Sequence, residues 1–179
     1  MKGIVFREFG DLVTARFGEA TWDALITESK VASGGAYTAV GTYPHEEAVA
    51  LLMVLSRKAG VALDGLLRVF GEALFGVLAQ RFPFAVAGYG ELFAFLANLE
   101  GVVHVEERKL YPDAELPSFV TRWEGDRFML EYRSQRPFAS LAEGLLRGAI
   151  THWGGKYTLA RRALDSDGSC EAIFALGRT

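Results

Sequence analysis

The sequence predicts an α+β fold, in which a helical N-terminal two-thirds is followed by a four-stranded antiparallel sheet arranged as hairpin, helix and hairpin. Three observations support this fold class. Before Tyr111-Pro112, apolar residues recur at helical spacing between glycine and proline breaks. After it, short strand-like segments are separated by turn sequences. Half of the 179 residues are hydrophobic, which is ample material for a core.

The first three helices are predicted from periodicity and from their end signals. Two amphipathic helices are expected at about residues 2–17 and 19–30. The apolar stripe of the first consists of Ile4, Val5, Phe9, Leu12 and Val13. A third helix starts at Pro44, because proline suits a first turn and the glutamates after it suit the positive end of the helix dipole. It runs to Lys58 and stops at Gly60.

Two further helices complete the helical part. Asp64 can cap the fourth helix, which ends near Pro83. Its apolar face consists of Leu63, Leu67, Phe70, Leu74 and Leu78. A fifth helix begins around Tyr89. Its core stripe consists of Leu92, Phe95, Leu96, Leu99 and Val103.

The C-terminal third predicts two hairpins around one helix. The first hairpin pairs SFVTRW with RFMLEYRS across a short glycine-bearing turn. Pro137 ends its second strand and opens a helix that Gly154-Gly155 closes. The inward residues of that helix are expected to be Phe138, Leu141, Leu145 and Ala149. The last hairpin joins KYTLARRAL to CEAIFAL through a DSDGS turn.

Composition excludes several classes of protein. The 19 basic and 22 acidic residues are interspersed and give a net charge of -3, so no basic patch predicts a nucleic-acid partner. No apolar run approaches the ~20 residues that a membrane span needs, and the N-terminus is too charged for a signal peptide. Cys170 is the single cysteine, which excludes an intrachain disulfide and fits a reducing cytoplasm. We expect one cytoplasmic domain over residues 1–179.

Three hydrogen-bond donors are spaced two residues apart near the end of the second strand. Tyr132, Ser134 and Arg136, the donor triplet, point to one face because alternate side chains of a strand share a face. Phe128 and Leu130 precede them on the same face. An apolar face that ends in two hydroxyls and a guanidinium suits a large apolar ligand with carboxylates at one edge. A strand that leaves the core for solvent is an equally good interpretation of this short pattern.

His104 is a candidate metal ligand in the segment NLEGVVHVEERKLYP. Ala97 and Gly101 precede it by two turns and one turn on the same helix face, which leaves room for a flat molecule. The β-branched residues Val102, Val103 and Val105 are poor helix formers, so this turn can move at low cost. Taken alone, a histidine in an apolar segment is more often an ordinary core or surface residue.

The chain as a whole resembles the heme nitric oxide/oxygen binding domain family, the bacterial relatives of the soluble guanylate cyclase heme domain. The resemblance extends almost from end to end. It rests on MKGIVF at the start, W-D-A-L at 22–25, YPHEEAVALLMVLSRKAG, LLRVFGEALF, NLEGVVHVEERKLYPDAELPSF and EYRSQR. The spacing from His104 to Pro117 and to Tyr132 fits the family pattern. Between Asn98 and His104 there is one residue more than the family pattern has.

The resemblance implies a heme site with assigned residues. His104 corresponds to the proximal ligand of a b-type heme (protoheme IX), which is expected between the helical part and the sheet. The donor triplet of Tyr132, Ser134 and Arg136 corresponds to the groups that bind the heme propionates. Pro117 corresponds to the residue that presses on the porphyrin and distorts it from planarity.

The opposite face of the heme distinguishes the branches of this family. Oxygen-binding members have a tyrosine there, and the matching position is Leu141, supported by Phe9 and Leu74. None of these side chains can donate a hydrogen bond to bound dioxygen, whereas nitric oxide on ferrous iron needs little such help. Ordinary core packing would also use Phe9, Leu74 and Leu141. Val5 and Leu145 are assigned to the same apolar pocket.

The function that the resemblance implies is a bacterial nitric oxide sensor without catalytic turnover. Nitric oxide would bind the iron, weaken the link to His104 and relax the turn around Val102–Val105, and carbon monoxide is expected as a second ligand of the iron. The effector is expected to be a separate protein, such as a histidine kinase or a cyclic-di-GMP enzyme. Two alternatives are an oxygen or redox sensor on the same heme, and a scaffold of this fold that binds another apolar ligand or a partner.

Overall fold

The computed structural model describes residues 1–101, 116–165 and 170–179, and side chains at 163–165 and 170 are not considered. The described chain forms two compact units, Met1–Phe70 and Gly71–Thr179. Along the chain, helices come first and are followed by two strands, a helix and two strands. This order confirms the predicted α+β fold.

The first unit contains helices α1 (Gly3–Phe17), α2 (Glu19–Ser29) and α3 (His45–Ala59) and the first turns of α4 (Leu63–Arg81). Their bounds agree with the prediction to within one or two residues. The end of α3 is set by Gly60, whose φ of 65° is in the left-handed region that glycine adopts without strain. The largest fully buried side chains of this unit are Phe6, Val13, Leu25 and Leu51.

A buried carboxylate fixes the segment between α2 and α3. Glu47, in the first turn of α3, accepts hydrogen bonds from the Ser33 hydroxyl at 2.6 Å and from the Tyr37 hydroxyl at 2.8 Å. The Tyr37 ring stacks on Phe6 with 4.4 Å between centroids. Burial raises the pKa of Tyr37 well above its ordinary value, so the phenol stays a donor. These bonds hold the irregular segment against α1 and α3.

The end of the helical part differs from the prediction. A short helix α5 (Phe84–Ala87) precedes α6 (Leu92–Ala97), whereas one helix was expected to begin around Tyr89. Gly88 and Gly90 flank Tyr89, and glycines favour an interruption over a continuous helix. Beyond α6 the helix is interrupted again at Asn98.

The sheet contains strands β1 (Ser118–Glu124), β2 (Arg127–Ser134), β3 (Tyr157–Asp165) and β4 (Cys170–Arg178). All pairs are antiparallel and the order is β1-β2-β4-β3, so β2 and β4 are the central strands that join the two hairpins. Helix α7 (Ala139–His152) connects them in sequence. Part of the predicted DSDGS turn, residues 166–169, lies outside the described residues.

The core of the second unit lies on one face of the sheet. Its buried residues come from α4, α6, β2, α7 and β4, and include Phe75, Leu92, Phe95, Leu96, Phe128, Leu130, Tyr132, Leu146, Phe174 and Leu176. On α7, Ala142 and Leu146 are buried, whereas the predicted inward residues Leu141 and Leu145 are partly exposed, and Leu145 still packs against this core. The buried stripe of α7 is therefore rotated by one residue from the predicted one, although Phe138 and Ala149 are buried as expected.

Helices α4 and α7 approach each other closely at Gly71 and Gly148, where no side chain separates them. A Cβ at Gly71 would lie 2.4 Å from the Leu141 carbonyl oxygen and 3.0 Å from the Gly144 Cα. A Cβ at Gly148 would lie 2.6 Å from the Phe75 Cβ. We refer to this contact of Gly71 and Phe75 with residues 141–148 as the α4–α7 crossing.

Over the residues described, no helix is long and apolar enough to cross a membrane.

Candidate functional site

Two members of the donor triplet, Tyr132 and Ser134, lie at the end of the central strand β2, and Arg136 follows two residues after the strand ends. Tyr132 is only 3% exposed, and its ring lies 5.7 Å from the ring of Phe119, its partner across the β1–β2 pair. Ser134 is the last residue of β2, and its hydroxyl oxygen accepts the Arg136 backbone N–H at 3.0 Å. The Arg136 carbonyl in turn accepts the Phe138 N–H at 2.8 Å. These local bonds fix the backbone that carries the triplet between β2 and α7.

The charged side chains of β2 occupy the opposite face, as predicted. Arg133 donates to Glu131 at 2.9 Å through Nε, and the same carboxylate lies 3.5 Å from Arg122 on β1. Glu171 on β4 lies 3.7 Å from Arg133. The outer face thus forms an ion-pair network. Glu131 is engaged there, so it does not compete for the hydroxyls of Tyr132 and Ser134.

Three of the predicted apolar pocket residues lie at the α4–α7 crossing or one turn from it. Leu74 is buried and follows Gly71 on α4 by about one turn. Leu141 and Leu145 lie on α7, where their backbone atoms would be 2.4 Å and 2.9 Å from a Cβ at Gly71. The partial exposure of these two leucines means that packing within the described residues does not use all of their apolar surface.

The other two predicted pocket residues, Val5 and Phe9, lie on α1 in the first unit. Phe9 is 5% exposed, and its ring contacts Phe70 at 5.3 Å and Trp22 at 6.1 Å, both edge-on. Val5 is partly exposed. Both side chains lack a hydrogen-bond donor.

His104 lies outside the described residues, and the structure describes only the chain that leads to it. Ala97 and Gly101, the two small residues predicted to share its face, are both exposed. A Cβ at Gly101 would meet no described atom within 4 Å. Pro117, the next predicted site residue along the chain, is partly exposed and immediately precedes β1.

One polar contact near this segment was not expected from the sequence. The Glu100 carboxylate accepts a hydrogen bond from the Phe119 backbone N–H at 2.6 Å. Nothing in the residue pattern distinguishes Glu100 from a solvated glutamate, because its partner is a backbone group 19 positions away. The additional residue that the family resemblance implies between Asn98 and His104 was the one sequence feature that marked the segment around Glu100 as unusual.

The described chain thus combines a helical region with an antiparallel sheet whose central strand β2 carries buried aromatic residues and hydrogen-bond donors. A family model described as Haem-NO-binding matches residues 2–160, and the chain belongs to this family. The family consists of heme-based gas sensors, so the predicted family resemblance is confirmed.

Solved structures of H-NOX proteins are similar to the chain over its whole length. The Fe(II) unliganded H-NOX protein from K. algicida is 36% identical, with 100% of this chain and 97% of that chain covered and a TM-score of 0.92. The H-NOX from Shewanella woodyi, bound to IWP-051 in the Fe(II)CO state, is 36% identical, with 100% and 95% covered and a TM-score of 0.84. An S. oneidensis H-NOX protein in the Fe(II)NO state is 25% identical, with 99% and 100% covered and a TM-score of 0.84. Among curated proteins no sequence matches.

Proposed function

We propose that this chain is a nitric oxide sensor that binds one b-type heme, with all 179 residues acting as a single sensor domain. The observation that carries the proposal is the donor triplet. A buried tyrosine and a serine alternate at the end of a central strand whose inner face is apolar, and an arginine follows two residues later. Family membership makes heme the ligand to test first.

The residues present fit the chemistry of protoheme IX. Heme is a flat apolar ring with two carboxylates on one edge, and the Tyr132 and Ser134 hydroxyls with the Arg136 guanidinium would hold those carboxylates. The exposed small residues Ala97 and Gly101 would allow the ring to approach the backbone. Pro117 would press on the ring from its place before β1.

His104 would hold the iron through a neutral imidazole nitrogen. When bound, the ferrous heme would supply the metal that takes a diatomic gas. Nitric oxide would weaken the link between His104 and the iron, and the turn predicted from the sequence at Val102–Val105 would then relax. The free energy available for the signal cannot exceed the difference in nitric oxide binding free energy between the conformation with His104 bound to the iron and the conformation with His104 released.

The apolar residues account for the proposed choice of gas. Val5, Phe9, Leu74, Leu141 and Leu145 offer no donor to bound dioxygen, whose partial negative charge benefits from one. The same pocket would accept carbon monoxide. Related H-NOX structures are described with nitric oxide in S. oneidensis and with carbon monoxide in Shewanella woodyi.

The signal would pass to a separate effector protein, for which a histidine kinase and a cyclic-di-GMP enzyme are the two candidates. We propose a cytoplasmic location, which the single cysteine, Cys170, fits. We also propose no catalytic turnover, because the roles assigned to the site residues are to bind and release ligands.

The test is absorption spectroscopy of the purified ferrous protein alone, with nitric oxide, with carbon monoxide and in air. We expect a heme spectrum that changes with the first two gases and no stable oxygen complex. His104→Ala should lose the protein–iron bond and recover a ligated spectrum with added imidazole, whereas His152→Ala, at an exposed histidine, should match the wild type. A colourless protein that takes up no hemin would favour the scaffold alternative. A stable oxygen complex in air would instead favour the oxygen sensor.

A further inference from the structure

The last described residues before His104, Glu100 and Gly101, are π-helical. After the interruption at Asn98, Glu100 and Gly101 adopt a π-helical turn, which contains one residue more than an α-helical turn. The resemblance to the family implies one additional residue between Asn98 and His104. In general, a π-helical turn accommodates a single additional residue within one turn of a helix.

The same turn presents Glu100 to the sheet. Its carboxylate accepts the Phe119 N–H at 2.6 Å, and a bond from a backbone N–H to a charged oxygen is stronger than one between neutral groups. Phe119 lies on the edge strand β1, directly opposite Tyr132. The bond therefore links the chain four residues before His104 to the strand that pairs with the first residue of the donor triplet.

We propose that Glu100 is a positioning residue that transmits the state of His104 to strand β1. This inference rests on the proposed function, in which His104 is released when nitric oxide binds. A shift of the His104 segment would move the π-helical turn and lengthen the bond from Glu100 to Phe119. The Phe119 amide would then lose protection, and the start of β1, which immediately follows Pro117, would loosen from the helix.

Hydrogen exchange at the Phe119 amide measures this bond directly. In the heme-free protein, Glu100→Ala should increase the exchange rate of this amide by about tenfold, because its acceptor is gone. In the heme-loaded wild type, nitric oxide should increase the same rate. In Glu100→Ala the amide should exchange rapidly in both states, so the dependence on nitric oxide should disappear.

Three variants separate the hydrogen bond from charge and from folding. Glu100→Gln keeps an acceptor oxygen at the same reach and should retain the nitric oxide dependence. Glu100→Asp keeps the charge but shortens the side chain by one methylene, so it should behave like Glu100→Ala even if the alanine variant folds poorly. Glu124→Ala is the matched control, since it removes an exposed carboxylate of β1 that bonds Arg122.

The results distinguish this proposal from the proposed function. If the wild type binds heme and nitric oxide but Phe119 exchange is the same with and without the gas, the role of Glu100 is overturned and the sensor stands. Wild-type exchange rates in Glu100→Ala would overturn it as well. A protein that takes up no hemin would overturn the sensor itself, whereas the heme-free comparison still reports whether Glu100 protects Phe119.

Discussion

At the scale of single residues, Leu141 influences the proposed choice of gas through what its side chain lacks. It lies on α7 with part of its apolar surface unused by packing among the described residues. A leucine there offers only dispersion contacts to a bound gas, whereas a hydroxyl would stabilise the negative charge on bound dioxygen. The proposed preference for nitric oxide thus depends on the absence of one polar atom.

Adding that atom should change the ligand preference. We expect Leu141→Tyr to form an oxygen complex that persists in air, with a gain in oxygen affinity of about tenfold for one hydrogen bond. Leu141→Phe is the matched control, because it has the same ring without the hydroxyl and should not retain oxygen. Absorption spectra of the ferrous proteins in air measure both. Equal behaviour of the two variants would show that Leu141 is not next to the bound gas.

At the scale of elements, the α4–α7 crossing depends on glycine at positions where helices normally disfavour it. Gly148 is inside α7, where alanine would ordinarily be more stable by about 0.5–1 kcal/mol. Here a Cβ would meet the Phe75 Cβ at 2.6 Å and the Glu72 carbonyl oxygen at 2.7 Å. The clash with α4 therefore outweighs helix propensity, because one of the two contacts is backbone that cannot rotate away.

This balance predicts opposite effects for two substitutions of glycine by alanine. Gly148→Ala should lower the free energy of unfolding by about 1–3 kcal/mol, since α4 must shift to accommodate the methyl group. Gly76→Ala, inside α4 at a site where a Cβ would meet nothing within 4 Å, should raise it by up to about 1 kcal/mol. Urea unfolding of both variants checks the pair. A stabilising Gly148→Ala would contradict the close approach of the helices.

At the scale of the whole molecule, the proposed ligand is itself a source of stability. A group that binds only the folded state raises the free energy of unfolding by mass action, about 2.7 kcal/mol when its free concentration is 100 times its dissociation constant. Heme uptake and thermal stability are therefore linked measurements.

Hemin should raise the melting temperature of the heme-free protein by on the order of 5–10 °C at that degree of saturation. The dimethyl ester of hemin, whose propionates carry no charge, should give a smaller rise, because Arg136 and the two hydroxyls lose their carboxylate partners. Differential scanning calorimetry with each porphyrin measures the effect. An equal rise with both would show that the donor triplet does not bind the propionates.

Local sequence determined much of this protein, because strand and helix periodicity depend on neighbouring residues alone. Alternation placed Phe128, Leu130 and Tyr132 on one face before any packing was known, and all three are buried. Pro44 and Gly60 fixed α3 to within one residue, since their backbone preferences are intrinsic. The order of helices and strands followed from the same signals.

Only the tertiary structure decided features that depend on residues far apart in sequence. Ala142 and Leu146 are buried whereas Leu141 and Leu145 are partly exposed, a difference of one residue that periodicity cannot resolve. The close approach of α4 and α7 at Gly71 and Gly148 also depends on residues far apart in sequence. The hydrogen bond from the Phe119 N–H to Glu100 also depends on the tertiary structure. Every residue except proline has a backbone N–H, so the sequence does not indicate which one meets the Glu100 carboxylate. Side-chain pattern reports local conformation, whereas packing and long-range hydrogen bonds exist only once the elements meet.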